Sequence, residues 1–103
     1  MHTVIETEIF TKYAAGVWNE ATYSEFVTYI AANPLVGDII PQSGGCRKVR
    51  WARQGTGKSS GVRVIYFFTV HECVVLLIVY AKSKFDNLPA HILKRLKDEV
   101  ENE

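Results

Sequence analysis

The sequence is poor in several features that define whole classes of protein. Only two of its 103 residues are cysteine, too few for the disulfide scaffold of a small secreted domain. Its longest uninterrupted apolar run is Cys73–Ala81, less than half of the roughly 20 residues that a bilayer-spanning helix needs. The first residues lack a basic region followed by an apolar stretch, so we expect no signal peptide. These absences predict a reduced, cytoplasmic protein with no membrane partner.

What the chain does contain is an ordinary globular composition. Hydrophobic residues make up 48% and charged residues 22% of the sequence, which excludes an intrinsically disordered chain. A chain of 103 residues is long enough to bury one core and too short for two. The sequence therefore predicts a single domain over residues 1–103.

The formal charge of +1 hides a strong segregation of charge along the chain. Residues 1–46 carry a net charge of −4, residues 47–84 carry +7, and residues 85–103 carry −2. The only acid in the middle segment is Glu72. Segregation of this kind indicates the chemistry of a partner rather than a fold. It predicts that the middle of the chain meets a polyanion.

Hydrophobic periodicity predicts the element order β-α-α-β-β-β-α. A first strand is expected near residues 3–9, a helix over 11–18, and a second helix that a Thr22–Glu25 capping box would open. Residues 34–45, rich in proline and glycine, are expected to form a loop. Strands are predicted over 46–52, 62–70 and 73–81, with a final helix from about Asn87. This order predicts an α+β fold with a small antiparallel or mixed sheet, two N-terminal helices and a C-terminal helix.

Several kinds of catalytic site are disfavoured by the pattern of residues. Residues 52–59 fit a relaxed phosphate-loop motif, but they lead into a predicted strand where that motif requires a helix. The histidines and cysteines lack the compact spacing of a zinc site. Glu72 is the only carboxylate in the strand region, which leaves no candidates for paired-carboxylate chemistry. No serine has the neighbours of a hydrolase triad. We therefore expect no metal and no cofactor.

A basic sheet face is the remaining candidate site. Alternation along 46–52 places Lys48 and Arg50 on the face opposite Val49 and Trp51. Arg63 on the next strand can join the basic face if the strand register allows it. Cations gathered on one face bind RNA or DNA phosphates by releasing counterions, and a tyrosine adds a surface on which a base can stack. The residues predicted to contact nucleic acid around this centre are Arg47, Arg53, Lys58, Tyr66, Tyr80 and Lys84.

Two stretches of the sequence resemble the RelE/HigB family of bacterial toxins. They are GGCRKVRWARQGTGKSSGVRVIYFF at residues 44–68 and LLIVYAKSKFDNLP at residues 76–89. The resemblance extends over nearly the whole chain and implies a RelE-like fold. It also implies the toxin of a type II toxin–antitoxin system, a ribosome-dependent, metal-independent mRNA endonuclease. The partners it implies are the ribosome, mRNA and a cognate antitoxin of the helix-turn-helix type.

The resemblance also assigns roles within the site. The catalytic residues that it implies are Lys48, Arg50, Arg63 and Lys82. The family has a tyrosine in its C-terminal segment, where this chain has Leu88 and Pro89. The implied reaction is attack of an mRNA 2′-hydroxyl on its adjacent phosphate, which leaves a cyclic phosphate and a free 5′-hydroxyl. Arg63 and Lys82 would stabilise the added charge, and Lys48 is a candidate base.

Two alternatives remain open at the level of sequence. The chain could be a non-catalytic module of the same fold that binds nucleic acid or an antitoxin. It could also be a toxin of this fold directed against gyrase. An endonuclease is expected to produce cleaved messages. A non-catalytic module would leave messages unchanged, and a gyrase-directed toxin would cause DNA damage.

Overall fold

A five-stranded sheet with helices on both faces forms the centre of the protein. The computed structural model describes residues 1–52, 61–82, 84 and 88–102. The elements are β1 (Thr3–Glu6), α1 (Glu8–Ala14), α2 (Glu20–Ala32), β2 (Asp38–Ile39), β3 (Arg47–Trp51), β4 (Val62–Phe68), β5 (Cys73–Ala81) and α3 (Ala90–Glu101). The strand order across the sheet is β1-β5-β4-β3-β2. The prediction of an α+β fold with a small mixed sheet is confirmed.

Strand β5 is an interior strand, between β1 and β4, and its side chains are apolar on both faces of the sheet. It pairs in parallel with β1 and antiparallel with β4, and its residues from Val74 to Tyr80 are all buried. The predicted hairpin between β4 and β5 is present, with a turn in which Glu72 adopts a positive φ of 60°. A bulge after Ile65 shifts the register of this pair. The remaining pairs, β3 with β4 and β2 with β3, are antiparallel.

Apolar clusters lie on the two faces of the sheet. On one face, Phe10 of α1 and Phe26 of α2 pack with Val64 and Leu76. On the other face, Leu93 of α3 packs with a cluster that includes Phe67, Leu77, Ile78 and Cys46. This second face also carries the basic ends of β3 and β4. No described residue of α3 lines that part of the face. The helices therefore leave one part of the sheet open.

The helix starts differ from those predicted because other side chains cap them. Helix α1 begins at Glu8, since the Thr7 hydroxyl accepts a hydrogen bond from the Phe10 amide at 3.1 Å. Helix α2 begins at Glu20, where the Asn19 side chain accepts from the Thr22 amide at 2.8 Å. The predicted Thr22–Glu25 capping box is therefore wrong.

The second half of the chain agrees more closely with the predicted elements. Strand β5 has the predicted bounds, and the other two long strands differ by one or two residues at their ends. Pro89 is the N-cap of α3 rather than a member of its first turn. No helix in the described ranges combines the length and the apolar character needed to cross a membrane.

The segment between α2 and β3 is not the simple loop that its composition predicts. Asp38 and Ile39 form the short strand β2, in which Asp38 stands opposite Lys48 and Ile39 opposite Arg47. The Ile40 amide continues the ladder by donating to the Cys46 carbonyl at 2.9 Å. Pro41 and the two glycines Gly44 and Gly45, both with positive φ, make the reversal between β2 and β3. The proline and glycine residues therefore form a hairpin turn and do not exclude a strand before it.

Candidate functional site

A polar cleft of about 550 Å³ opens on the part of the sheet that the described helices leave uncovered. Its described lining residues are Val36, Asp38, Lys48, Val49, Arg50, Arg63 and Lys82. All four residues that the sequence suggests for catalysis are in this set. The described lining also includes one carboxylate, Asp38, which is not among the site residues predicted from the sequence.

Strand register explains how residues distant in sequence meet in the cleft. Lys48 and Arg50 are two apart on β3 and so share a face. Arg63 on β4 stands directly opposite Arg50, and Tyr80 on β5 stands directly opposite Arg63. The amide of Lys82, just beyond β5, donates to the Gly61 carbonyl at 3.5 Å, next to the start of β4. The register therefore allows Arg63 to join Lys48 and Arg50 on the basic face, as the prediction required.

Arg63 is the most unusual residue of the cleft. It is only 7% exposed, and among the described residues its one hydrogen bond runs from Nη1 to the Val62 carbonyl at 3.5 Å. The described residues contain a single salt bridge, Lys97 to Glu101 on α3, so Arg63 has no carboxylate partner there. A guanidinium keeps its charge at any physiological pH, and burying a charge without a partner is costly. An anion that enters the cleft would supply the missing partner.

Tyr80 lies beside Arg63 and beneath the surface. It is 2% exposed, so its ring does not offer the predicted stacking surface. Burial raises the pKa of the Tyr80 phenol, and the nearby charge of Arg63 lowers it in part. Tyr80 therefore packs in the apolar cluster under the cleft.

Arg47 and Tyr66 were predicted to contact RNA, and both instead lie on the other face of the sheet. Tyr66 is fully buried; its hydroxyl accepts from the Gly37 amide at 3.0 Å and donates to the Pro34 carbonyl at 2.8 Å. Arg47 Nη1 donates to the carbonyls of Leu35 and Gly37 at 3.2 and 2.8 Å. Because these polar groups are already used by the backbone, Arg47 and Tyr66 fix residues 34–37, the segment that leads into β2.

Lys84, another predicted contact, is not among the described residues that line the cleft. Lys84 is exposed, with Nζ 5.4 Å from the centre of the Tyr13 ring. Arg53 and Lys58, together with most of the phosphate-loop-like stretch, lie outside the described residues. Within the described ranges, no three His, Cys, Asp or Glu side chains are close enough to share a metal ion.

Asp38 is the site residue that sequence reasoning missed. Composition predicts a loop over residues 34–45, and Glu72 is the only acid in the predicted strand region. The short apolar pair Ile39 and Ile40 before Pro41 was the available signal for a strand. That signal covers too few residues to establish a period, so only the pairing with β3 identifies β2 and brings Asp38 into the cleft.

No protein-family model matches this chain. The chemistry of the cleft therefore has to be argued from its own residues. Among the described residues, four cations and one carboxylate surround a space open to solvent, which suits the binding of a phosphodiester.

Proposed function

We propose that this protein is a RelE/HigB-type toxin, an endoribonuclease that cleaves mRNA on the ribosome and thereby inhibits translation. The observation that supports this most directly is the buried Arg63 guanidinium, which has no carboxylate partner among the described residues and lines a cleft with Lys48, Arg50 and Lys82. A structural arginine would normally be paired when buried. An unpaired one in an open cleft is expected where the partner is a ligand.

The proposed reaction is an in-line displacement at a phosphodiester. The 2′-oxygen of one nucleotide forms a bond to the adjacent phosphorus, and the bond from phosphorus to the 5′-oxygen of the next nucleotide breaks. The products are a 2′,3′-cyclic phosphate and a 5′-hydroxyl. Arg63 and Arg50, which stand opposite each other on β4 and β3, stabilise the charge that builds up on the phosphorane.

The remaining cations, Lys48 and Lys82, contact the same RNA strand, and Lys82 also contributes charge that stabilises the transition state. Lys82 is exposed at the rim of the cleft, where it contacts the same phosphate or its neighbour. Lys48 stands on β3, two residues before Arg50.

The ribosome, mRNA and a helix-turn-helix antitoxin are the partners that the family resemblance suggests.

Inducible expression in bacteria followed by mapping of 5′-hydroxyl ends tests the proposal. Wild-type protein should arrest growth and create new 5′-hydroxyl ends within translated messages. Arg50→Ala and Lys82→Ala should each lower cleavage about 100-fold or more because each removes a charge that stabilises the transition state. Arg95→Ala, which removes an exposed arginine from α3, is the matched control and should cleave like wild type.

Two results would contradict the endonuclease. Growth arrest with unchanged message ends would indicate a non-catalytic binding module. Arrest accompanied by DNA damage would indicate a gyrase-directed toxin.

A further inference from the structure

The described lining of the cleft contains a single side chain that can accept a proton. Lysine ammonium and arginine guanidinium groups donate hydrogen bonds and accept none, and valine does neither. This leaves the carboxylate of Asp38 among the described lining residues. Attack by a ribose hydroxyl needs a group that takes its proton.

We infer that Asp38 is the general base that takes the 2′-hydroxyl proton and that Lys82 is the general acid that protonates the leaving 5′-oxygen. The inference rests on the proposed ribonuclease function. The sequence alone makes Lys48 the candidate for the general base, whereas the inference from the structure gives this role to Asp38.

The order of the strands puts the two groups on opposite sides of the cleft. Asp38 belongs to β2 at one edge of the sheet, and Lys82 follows β5, with β3 and β4 between them. Arg50 and Arg63 lie on these two intervening strands. An in-line displacement needs its base and its acid on opposite sides of the phosphorus, since the attacking and leaving oxygens are opposite each other. A phosphate held by the two arginines would therefore have Asp38 on one side and Lys82 on the other.

Asp38 is held by contacts that come from the core. Asp38 stands opposite Lys48 of β3. The Cβ atoms of two residues paired in this way are about 5 Å apart. The residue before Asp38, Gly37, donates its amide to the Tyr66 hydroxyl and accepts through its carbonyl from Arg47. The described residues give the Asp38 side chain no hydrogen bond or ion pair. The backbone is therefore fixed while the carboxylate stays available to a substrate.

The protons balance over the step. The proton of the 2′-hydroxyl passes to the Asp38 carboxylate as the new oxygen–phosphorus bond forms. The Lys82 ammonium gives a proton to the 5′-oxygen as its bond to phosphorus breaks. The two residues exchange these protons with solvent before the next turnover.

Asp38→Asn separates this role from a purely electrostatic one. Removing a negative charge from a basic cleft should leave RNA binding unchanged or make it tighter, whereas loss of the base should slow single-turnover cleavage of ribosome-bound mRNA about 100-fold or more. The matched control is Glu25→Gln, which removes an exposed carboxylate from α2 and should change neither quantity. Thermal melting of each variant shows that it is folded.

A message with sulfur in place of the bridging 5′-oxygen distinguishes base from acid. A thiolate leaves without being protonated, so this substrate should restore most of the rate of Lys82→Ala and none of the rate of Asp38→Asn. Cleavage by Asp38→Asn within about twofold of wild type, weaker RNA binding, or rescue by the sulfur substrate would overturn the role of Asp38. Failure of that substrate to rescue Lys82→Ala would overturn the role of Lys82.

These outcomes are distinct from failure of the proposed function. If wild-type protein produces no cleavage on ribosomes, the endonuclease itself is wrong. If wild type cleaves and Asp38→Asn cleaves equally well, only the assignment of the base is wrong.

Discussion

At the scale of single residues, Arg63 is the clearest case of a side chain kept at a cost to stability. It is 7% exposed and stands opposite a second cation, Arg50. Like charges directly opposite each other in a sheet are destabilising, and a buried charge loses its hydration. Neighbouring positions on β4 are occupied by apolar side chains that pack well. A residue with these disadvantages is expected where it serves a ligand.

Replacing Arg63 by methionine should therefore separate stability from activity. Arg63→Met removes the buried charge and keeps much of the volume, so the free energy of unfolding should stay the same or rise by about 1 kcal/mol. Under the proposed function, cleavage should fall about 100-fold or more because the phosphorane would lose a charge-stabilising donor. Urea unfolding and single-turnover cleavage give the two quantities. A loss of more than about 1 kcal/mol would mean that Arg63 has a structural partner.

At the scale of elements, the segment from Pro34 to Ile39 decides whether the cleft has its carboxylate. A strand of two residues has little pairing of its own. Tyr66 and Arg47, on the other face of the sheet, also hold this segment through hydrogen bonds to its backbone. Gly37 lies against both side chains, since an added Cβ would sit 2.9 Å from the Tyr66 ring and 3.1 Å from the Arg47 Cβ.

Gly37→Ala should displace this segment. The new methyl group would push against a buried ring, which typically costs about 1–3 kcal/mol, and it would move Asp38 relative to the arginines. We expect a lower melting temperature together with a fall in cleavage larger than the loss of folded protein explains. Gly16→Ala is the matched control because nothing lies within 4 Å of its added Cβ. Equal behaviour of the two variants would show that the close packing at Gly37 does not matter.

At the scale of the whole molecule, charge is distributed by region. The formal charge of +1 combines a middle segment of +7 with acidic segments on either side. Within the described residues, the cations Lys48, Arg50, Arg63 and Lys82 converge on one cleft. The acids Glu6 and Glu8, together with the single cation Lys12, line a different concavity beside β1 and α1. The field of the described residues therefore favours the approach of an anionic strand to the basic cleft.

The salt dependence of RNA binding should report this convergence. Each phosphate contact on a single strand contributes about −0.7 to the slope of log K against log salt concentration. Four cations therefore predict a slope of about −2 to −3 for a 2′-O-methyl strand, which cannot be cleaved by 2′-attack. Lys82→Ala should make the slope shallower by about 0.7, while Lys94→Ala on α3 should leave it unchanged. Fluorescence anisotropy over a range of KCl concentrations measures the slope, and a slope near zero would contradict phosphate binding in the cleft.

Much of the fold follows from local pattern in the sequence. The apolar run of β5 gave the bounds of that strand, and the alternation along β3 separated Lys48 and Arg50 from Val49 and Trp51. Helix starts were predicted less well because capping depends on single side chains such as Thr7 and Asn19. These features depend on residues within a few positions of each other, so the sequence alone carries them.

The tertiary structure decided which charged groups meet. Strand register put Arg63 opposite Arg50, and the pairing of β2 with β3 brought Asp38 into the cleft. Arg47 and Tyr66, which were predicted to contact RNA, lie on the other face of the sheet. Their side chains form hydrogen bonds there with the backbone of residues 34–37. The amino-acid sequence by itself determined where the basic residues lie along the chain and which face of β3 they occupy. The partners of those residues depend on pairing between distant strands, whose register is set by the packing of the whole core.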